Sequence, residues 1–125
     1  MIYFEIIGGT KSEKQLVEAA FWFALKELMP RKKNLDVLFS LVKMEGSEGN
    51  QVMIEKTFHE IEIKKGMAQA DLITAVFHEM VHVRQSERGV EMDFDLDYFD
   101  RPFEIEAYKL QESMFEKYKY IHGNI

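Results

Sequence analysis

The chain has 125 residues, of which 46% are hydrophobic and 13% aromatic, enough to build the core of one globular domain spanning residues 1–125. Its net charge of −6 argues against nucleic acid as a partner, because binding to phosphates requires a basic surface. The chain has no cysteine, which excludes disulfide scaffolds, zinc–thiolate sites, iron–sulfur clusters and thiol catalysis.

The first residues carry no sign of a targeting segment, since they lack a basic stretch and are interrupted by Glu5. No apolar stretch approaches the roughly 18 residues that a membrane-spanning helix needs. The sequence therefore predicts a cytoplasmic protein that has no membrane partner and is monomeric by default.

The first predicted elements are a strand and a helix. Residues 2–7 are rich in Ile, Tyr and Phe, which favours a strand. Thr10 and Glu13 have the spacing of a capping box at a helix N-terminus, and Ser12 is a competing cap residue. The helix that follows has apolar residues three and four positions apart and ends at Pro30.

Strands follow in the middle of the chain. Residues 35–43 are rich in strand-forming residues, and residues 45–50 predict a hairpin loop because Gly and Asn tolerate positive φ. Residues 52–54 resume the strand pattern, and residues 58–64 alternate between apolar and charged side chains. The pattern leaves open whether residues 51–64 form one bulged strand or two.

Two helices complete the predicted fold. One covers about residues 68–88 and has an apolar stripe that includes Leu72 and Met80. The other covers about residues 102–118 and begins at Pro102, a residue that suits the first helical position. This order of elements predicts an α+β fold, with a small, mostly antiparallel sheet packed on the N-terminal helix and these two helices.

The helix over residues 68–88 contains the motif His-Glu-x-x-His. His78 and His82 lie one turn apart, so both imidazoles leave the same face of the helix and can bind one Zn²⁺ ion. Glu79 lies about 100° around the helix from His78. From there it can take a proton from a metal-bound water as that water attacks a carbonyl.

Glu104 is the best candidate for a third ligand. It follows His82 by 22 residues and lies one turn into the predicted last helix. Glu104 and Ala107 form the pattern Glu-x-x-Ala, in which a small residue one turn after the ligand lets two helices approach closely. Glu106 is the alternative, and in this register it is a solvated helix residue.

An HExxH motif followed roughly 20–30 residues later by a helical Glu-x-x-Ala resembles the gluzincin zinc peptidases. At this length the chain is most similar to their minimal, single-domain members, including phage-type ones. The resemblance covers about residues 58–111 and implies a zincin-like fold. It implies that the zinc ligands are His78, His82 and Glu104.

The resemblance also implies a reaction and a substrate. A metal-bound water activated by Glu79 would hydrolyse a peptide or protein without a covalent intermediate. The substrate would bind along the edge of a strand just before the active-site helix, here residues 58–64, because an edge strand offers unpaired backbone groups.

Two parts of the family's site have no certain counterpart. Many gluzincins have an aspartate four residues after the ligand glutamate, where it orients a zinc-bound histidine, but Tyr108 occupies that position here. Asp71 and Asp100 are the candidates for this orienting role. For oxyanion stabilisation the candidates are Tyr98 and Tyr108, each of which could equally be a packing residue. His59, on a strand face, and His122, in a solvated tail, are weaker ones.

An acidic segment precedes the last helix. Positions 1, 3, 5 and 12 of a calcium-binding EF-hand loop are matched by Asp93, Asp95, Asp97 and Glu104. Tyr98 replaces the glycine that position 6 requires, so calcium is the weaker interpretation. The apolar residues between the acids predict an extended segment with one buried face.

Two other functions stay open. A zinc-binding interaction or regulatory protein would keep the same ligands and a zincin fold with little or no turnover. A structural protein with an accidental HExxH would have His78 and His82 pointing apart. Convergence of those two side chains with Glu104 therefore distinguishes a metal site from the last alternative.

Overall fold

The computed structural model describes residues 1–123. One four-stranded sheet is formed by β1 (Ile2–Ile7), β2 (Leu35–Val42), β3 (Gly49–Glu55) and β4 (Phe58–Lys64). Three helices are present in this part of the chain: α1 (Lys11–Leu28), α2 (Gln69–Glu87) and α3 (Pro102–His122). A short 3₁₀ turn, Tyr98–Asp100, precedes α3. The α+β class is as predicted from the sequence.

The strand directions differ from the prediction of a mostly antiparallel sheet. The order is β1-β2-β4-β3, with β1 parallel to β2, β2 parallel to β4, and only β3 antiparallel to its neighbour β4. The crossover made by α1 explains the first pair: a helix that joins two strands of one sheet returns the chain to the same end, so β1 and β2 run parallel. β2 and β4 run parallel because the chain reverses direction twice between them, once before β3 and once after it. The sheet is therefore mixed and mostly parallel.

The chain between residues 49 and 64 forms two strands joined by a tight turn. Thr57, in that turn, has a φ of 71°, which is uncommon for a residue with a β-branched side chain. β3 lies at the edge of the sheet, and β4 lies between β2 and β3. The expectation that residues 58–64 form an edge strand is thus wrong, because the chain crosses to the outer position first and then returns inside it.

α1 and α2 lie on the sheet, and α3 packs on these two helices. Residues of β2 alternate between buried and half-buried positions, and the buried side chains, which include Val37 and Phe39, meet Ile61 and Ile63 of β4 in the core. Each fully buried side chain of this size stabilises the fold by about 1.5–3 kcal/mol. The opposite face carries exposed acids such as Glu60 and Glu62, so the sheet has one dry and one wet side.

The N-terminus of α1 is held by the predicted capping box. The Glu13 backbone N–H donates to the Thr10 hydroxyl at 3.1 Å, and the Thr10 N–H donates to the Glu13 carboxylate at 2.9 Å. Ser12 is therefore an interior helix residue and not the cap. The second carboxylate oxygen of Glu13 accepts from the N–H of Gly66 at 2.8 Å, which ties the start of α1 to the turn before α2.

α2 lies between the core and α3. Its predicted apolar stripe is buried, as are both histidines of the motif and Gln85. α3 extends to His122, four residues beyond the predicted end, and His122 is exposed at its C-terminal end. Within residues 1–123, no helix is both long and apolar enough to cross a bilayer.

The acidic segment before α3 does not have the buried face that its pattern predicted. Phe94 is 64% exposed, and Leu96 and Tyr98 are each about 40% exposed. Arg101 holds this segment by donating hydrogen bonds to the carbonyls of Phe94 and Leu96, each at 3.0 Å. Its guanidinium also lies over the rings of Phe94 and Tyr98, so cation–π contacts take the place of burial in the core.

Candidate metal centre

The two histidines of the motif and Glu104 converge on one point. Nε2 of His78 and Nε2 of His82 each lie 2.9 Å from the same carboxylate oxygen of Glu104. The two nitrogens are 3.2 Å apart. The α2 residues meet because they are one turn apart on the same face, and Glu104 meets them because α3 packs along α2 with its first turn at that level.

All three residues are buried, with 7–8% of each exposed. They form the one group of three or more His, Asp or Glu residues within residues 1–123 that is placed to hold a metal ion. The acids of the segment 91–100 are therefore not assembled as a calcium loop in this structure. The side chain of Glu106, the alternative third ligand, is 48% exposed and points to Arg84 and Gln85 instead.

Two glutamines determine which ring nitrogen of each histidine carries a proton. Nδ1 of His78 lies 2.7 Å from the carbonyl oxygen of Gln111, and Nδ1 of His82 lies 2.7 Å from that of Gln85. An amide oxygen only accepts hydrogen bonds, so both Nδ1 atoms donate. When the rings are neutral, each Nε2 then presents a lone pair toward Glu104. The orienting residues are thus Gln111 and Gln85, and not Asp71 or Asp100, which are both exposed.

This donor set fits a zinc ion. Tetrahedral zinc bound at about 2.0–2.2 Å sets its ligand atoms about 3.3–3.6 Å apart, so the observed 2.9–3.2 Å would widen by a few tenths of an ångström around the ion. Two nitrogen lone pairs and a carboxylate oxygen at these distances repel each other unless a cation lies among them. The chemistry of the site therefore calls for either a proton or a metal ion.

The pKa values of His82 and Glu104 reflect the close contact between them. Burial lowers the pKa of His82, but hydrogen bonds to Glu104 and Gln85 outweigh it, so that the pKa is raised. Burial raises the pKa of Glu104, but hydrogen bonds from His78 and His82 hold it well below the usual range. Each group thus favours its charged form, because the partner in the pair carries the opposite charge.

Glu79 lies beside the ligands and lines a cleft with His78. It is 5% exposed. Burial raises its pKa to about 7, against the opposing attraction of His78 and His82. A carboxylate with this pKa both takes and returns a proton near neutral pH, which is what a general base needs.

Tyr98 and Tyr108, the two oxyanion candidates, meet across the same cleft. Their hydroxyl oxygens are 3.0 Å apart, and the Tyr108 ring lies 4.7 Å from the ring of His78. Burial and the hydrogen bond to Tyr108 raise the pKa of Tyr98, so its hydroxyl stays protonated and able to donate. Both line the cleft, and Tyr108 lies against His78, while their catalytic role remains a prediction.

The cleft has a volume of about 450 Å³. It is lined by residues 46–48 of the loop before β3, by Gly49, and by Tyr98, Tyr108 and Gln111. Gly49, the first residue of β3, adjoins the HExxH motif: a Cβ atom there would lie 3.1 Å from a carboxylate oxygen of Glu79. The free edge of the sheet therefore begins next to the candidate general base.

The remaining buried histidine belongs to a separate network. His59 is fully buried on β4, and its Nε2 lies 2.7 Å from the carboxylate of Glu87. Glu87 also accepts hydrogen bonds from Lys32 at 2.6 Å and from the N–H of Thr57 at 2.9 Å. This network joins the C-terminal end of α2 to the β3–β4 turn and accounts for His59 without a role in the metal centre.

Comparison of the chain with protein-family models, with curated proteins and with solved structures found no match.

Proposed function

We propose that the chain is a zinc-dependent peptidase of the gluzincin type. The observation that carries the proposal is the convergence of His78, His82 and Glu104 on one point, with Glu79 buried beside them at the floor of an open cleft. An accidental HExxH motif does not account for it, because both histidines point to the same oxygen. An antiparallel edge strand next to the HExxH helix also supports a zincin-like fold.

His78, His82 and Glu104 would hold the zinc ion, with Gln111 and Gln85 orienting the two histidines. A zinc ion bound there supplies a Lewis acid that lowers the pKa of water and polarises a carbonyl. The protein residues would supply the proton transfers, the hydrogen bonds to developing charge and the binding of the peptide.

Glu79 would be the general base. Its carboxylate is buried beside the ligands, where it would take the proton of the attacking water and then return it to the leaving amine. Because the same group does both, the reaction proceeds by direct attack of water and needs no covalent intermediate on the protein.

The Tyr98 and Tyr108 hydroxyls would stabilise the oxyanion. Both line the cleft, and Tyr108 lies against His78. In the hydroxyl-to-hydroxyl contact at 3.0 Å, one group donates its proton to the other, and the accepting hydroxyl can donate its own proton to the substrate. A donor placed where negative charge develops is worth about 10²–10³ in kcat.

The peptide substrate would bind along β3. Among the strands described, β3 pairs only with β4, so its outer backbone groups are free to pair with an extended chain. Because β3 begins at Gly49, adjacent to Glu79, a peptide in this register would carry its backbone past the general base.

The test combines metal analysis with a peptide-library cleavage assay of the purified protein. We expect one zinc ion per chain, cleavage of peptide bonds, and loss of cleavage on removal of zinc with a chelator. Glu79→Gln should abolish cleavage and retain zinc, since it removes the base and leaves the ligands. Glu112→Gln, a charge-removing change at an exposed position of α3, is the matched control and should retain full activity.

Three results would contradict the proposal in different ways. Absence of zinc binding removes the metal centre altogether. Cleavage that persists in Glu79→Gln removes the mechanism. Zinc binding without cleavage of any peptide favours instead a zinc-binding interaction or regulatory protein that keeps the same ligands.

A further inference from the structure

We propose that Gln85 is a positioning residue that joins α2 to the first turn of α3 and so holds His82 and Glu104 in a fixed relative position. The inference concerns the metal centre of the proposed peptidase and rests on that assignment for its functional meaning. Its structural content, a buried amide that connects the two ligand-bearing helices, is testable on the metal-free chain.

Gln85 forms hydrogen bonds through its amide oxygen and through both N–H groups of its amide. Its carbonyl oxygen accepts from Nδ1 of His82 at 2.7 Å. Its amino group donates to the backbone carbonyl of Phe103 at 2.9 Å and to the carboxylate of Glu106 at 3.0 Å. Gln85 is only 2% exposed, so these bonds form with little competition from water.

The surroundings fix the orientation of the amide. A flipped amide would set its oxygen against the carbonyl of Phe103 and the carboxylate of Glu106, which are both acceptors. The oxygen must therefore face His82, and His82 must carry its proton on Nδ1. The tautomer of the zinc-binding histidine is thus determined by groups on the other helix.

The same contacts fix the position of the third ligand. Phe103 and Glu106 lie on either side of Glu104 in the chain, and both are held by one side chain of α2. Apart from Glu104 itself, no other hydrogen-bonded side chain within residues 1–123 connects a motif histidine to the turn that bears Glu104, since Gln111 lies two turns further along α3. Gln85 therefore controls two ligands, whereas Gln111 controls only His78.

Glutamine suits this position better than the residues closest to it in shape. Glutamate keeps an acceptor for His82 but loses both donors, and its charge would repel Glu106 and the carbonyl of Phe103. Methionine keeps the volume and loses all three hydrogen bonds. Gln85→Glu therefore tests the contacts to α3 with the bond to His82 kept, and Gln85→Met tests the loss of both.

The experiment measures zinc affinity by chelator competition for the wild-type protein, Gln85→Glu and Gln85→Met. We expect both variants to bind zinc about 10–100-fold more weakly, the range found when a partner of a ligand is lost. An added negative charge would by itself strengthen binding of a cation, so weaker binding in Gln85→Glu reports a displaced α3. Glu112→Gln, at an exposed position of α3 outside these contacts, should bind zinc as the wild type does.

The ¹⁵N chemical shifts of His82 in the metal-free protein, at a pH where the ring is neutral, supply a readout independent of zinc. We expect the Nδ1–H tautomer in the wild type and in Gln85→Glu, and a mixture of tautomers in Gln85→Met. The side-chain amide protons of Gln85 in the wild type should exchange slowly with solvent, because they are buried and bonded to α3.

The proposal is overturned if Gln85→Glu binds zinc as tightly as the wild type, or if the Gln85 amide protons of the wild type exchange as fast as those of a free amide. The second measurement decides the question even if the variants do not fold. A wild-type protein that binds no zinc would refute the proposed peptidase, and the tautomer and amide exchange would still decide whether Gln85 joins the two helices.

Discussion

Replacing Gly49 by alanine should impair the general base while leaving the fold and the zinc ligands intact. Gly49 does not have a positive φ, so alanine adopts its backbone conformation without strain. The added Cβ would lie 3.1 Å from each of three atoms: a carboxylate oxygen of Glu79, the carbonyl oxygen of Glu62 and a methyl group of Ile63. Since the carbonyl belongs to the β4 backbone and Ile63 is buried, the Glu79 carboxylate is the group that moves.

The size of the effect follows from these distances. Relief of a 3.1 Å contact requires a shift of a few tenths of an ångström, and a misplacement of 1 Å costs about 10²-fold in rate. We therefore expect kcat to fall about fourfold. Tighter packing destabilises the fold by about 1 kcal/mol, and alanine restricts the unfolded chain by about the same amount, so the free energy of unfolding should hardly change.

Gly66→Ala gives the opposite result and is the matched control. Gly66 has a φ of +81° and its added Cβ would meet no atom within 4 Å, so the substitution strains the backbone by about 1–2 kcal/mol without contacting the cleft. We expect a lower melting temperature and an unchanged kcat. The assays are steady-state cleavage of a peptide, thermal unfolding and zinc affinity. Wild-type kcat in Gly49→Ala, or a loss of its zinc affinity, would refute the steric reasoning.

Four further predictions concern the ligands, the cleft and the fold. Glu104→Gln should weaken zinc binding by more than about 100-fold, which exceeds the loss expected for an orienting residue. Chelator competition measures this affinity, and a smaller loss would mean that Glu104 is not a ligand. The raised pKa of His82 means that the metal-free protein is stabilised by protonation below the ordinary histidine value and loses this stability as the pH rises through the folded-state pKa. The increase in melting temperature caused by zinc should therefore be small near pH 5 and grow toward about pH 8, and a constant increase would contradict the proton–metal competition. Tyr98→Phe or Tyr108→Phe, whichever removes the oxyanion donor, should lower kcat about 100-fold with little change in KM, and wild-type kcat in both would exclude this role. Glu87→Gln should lower the free energy of unfolding by about 3 kcal/mol with unchanged zinc affinity, as measured by denaturant titration, because it weakens the buried network at the far end of α2.

The parts of the site that depend on local spacing could be predicted from the sequence. His78 and His82 share a helix face because a helix has about 3.6 residues per turn, whatever packs against it. Glu104 required one further inference, that a small residue one turn later in the next helix marks a close helix–helix contact. That residue, Ala107, is fully buried in the structure.

Gln85 and Gln111 were not assigned as orienting partners, for a chemical reason. A neutral amide has no charge or metal-binding preference that singles it out, and the family pattern pointed to an aspartate. A positional signal does exist: Gln85 lies three residues after His82, and Gln111 seven residues after Glu104, so each shares a helix face with a ligand. Helical position would have identified both.

The sheet order could not be derived from the strands themselves. Alternation in residues 58–64 shows that one face is buried, but a strand can have such a face whether it lies inside the sheet or at its edge. β4 lies between β2 and β3 because the loop after β2 leads the chain to the outer position first. That path depends on the packing of the whole fold and not on the strand sequences. The edge strand was therefore predicted at residues 58–64, whereas β3, the strand before it in the chain, lies at the edge.

The burial of α2 has a consequence for how this protein could change during evolution. Twelve of its residues are buried, so the helix that carries the HExxH motif is also the central wall of the core, and few of its positions can vary without loss of stability. Two parts of the cleft lining are different, because residues 46–48 and Tyr98 belong to surface segments outside the long helices. Surface segments tolerate substitution and insertion, so new substrate preferences would arise by change in these two segments while α2 stays fixed.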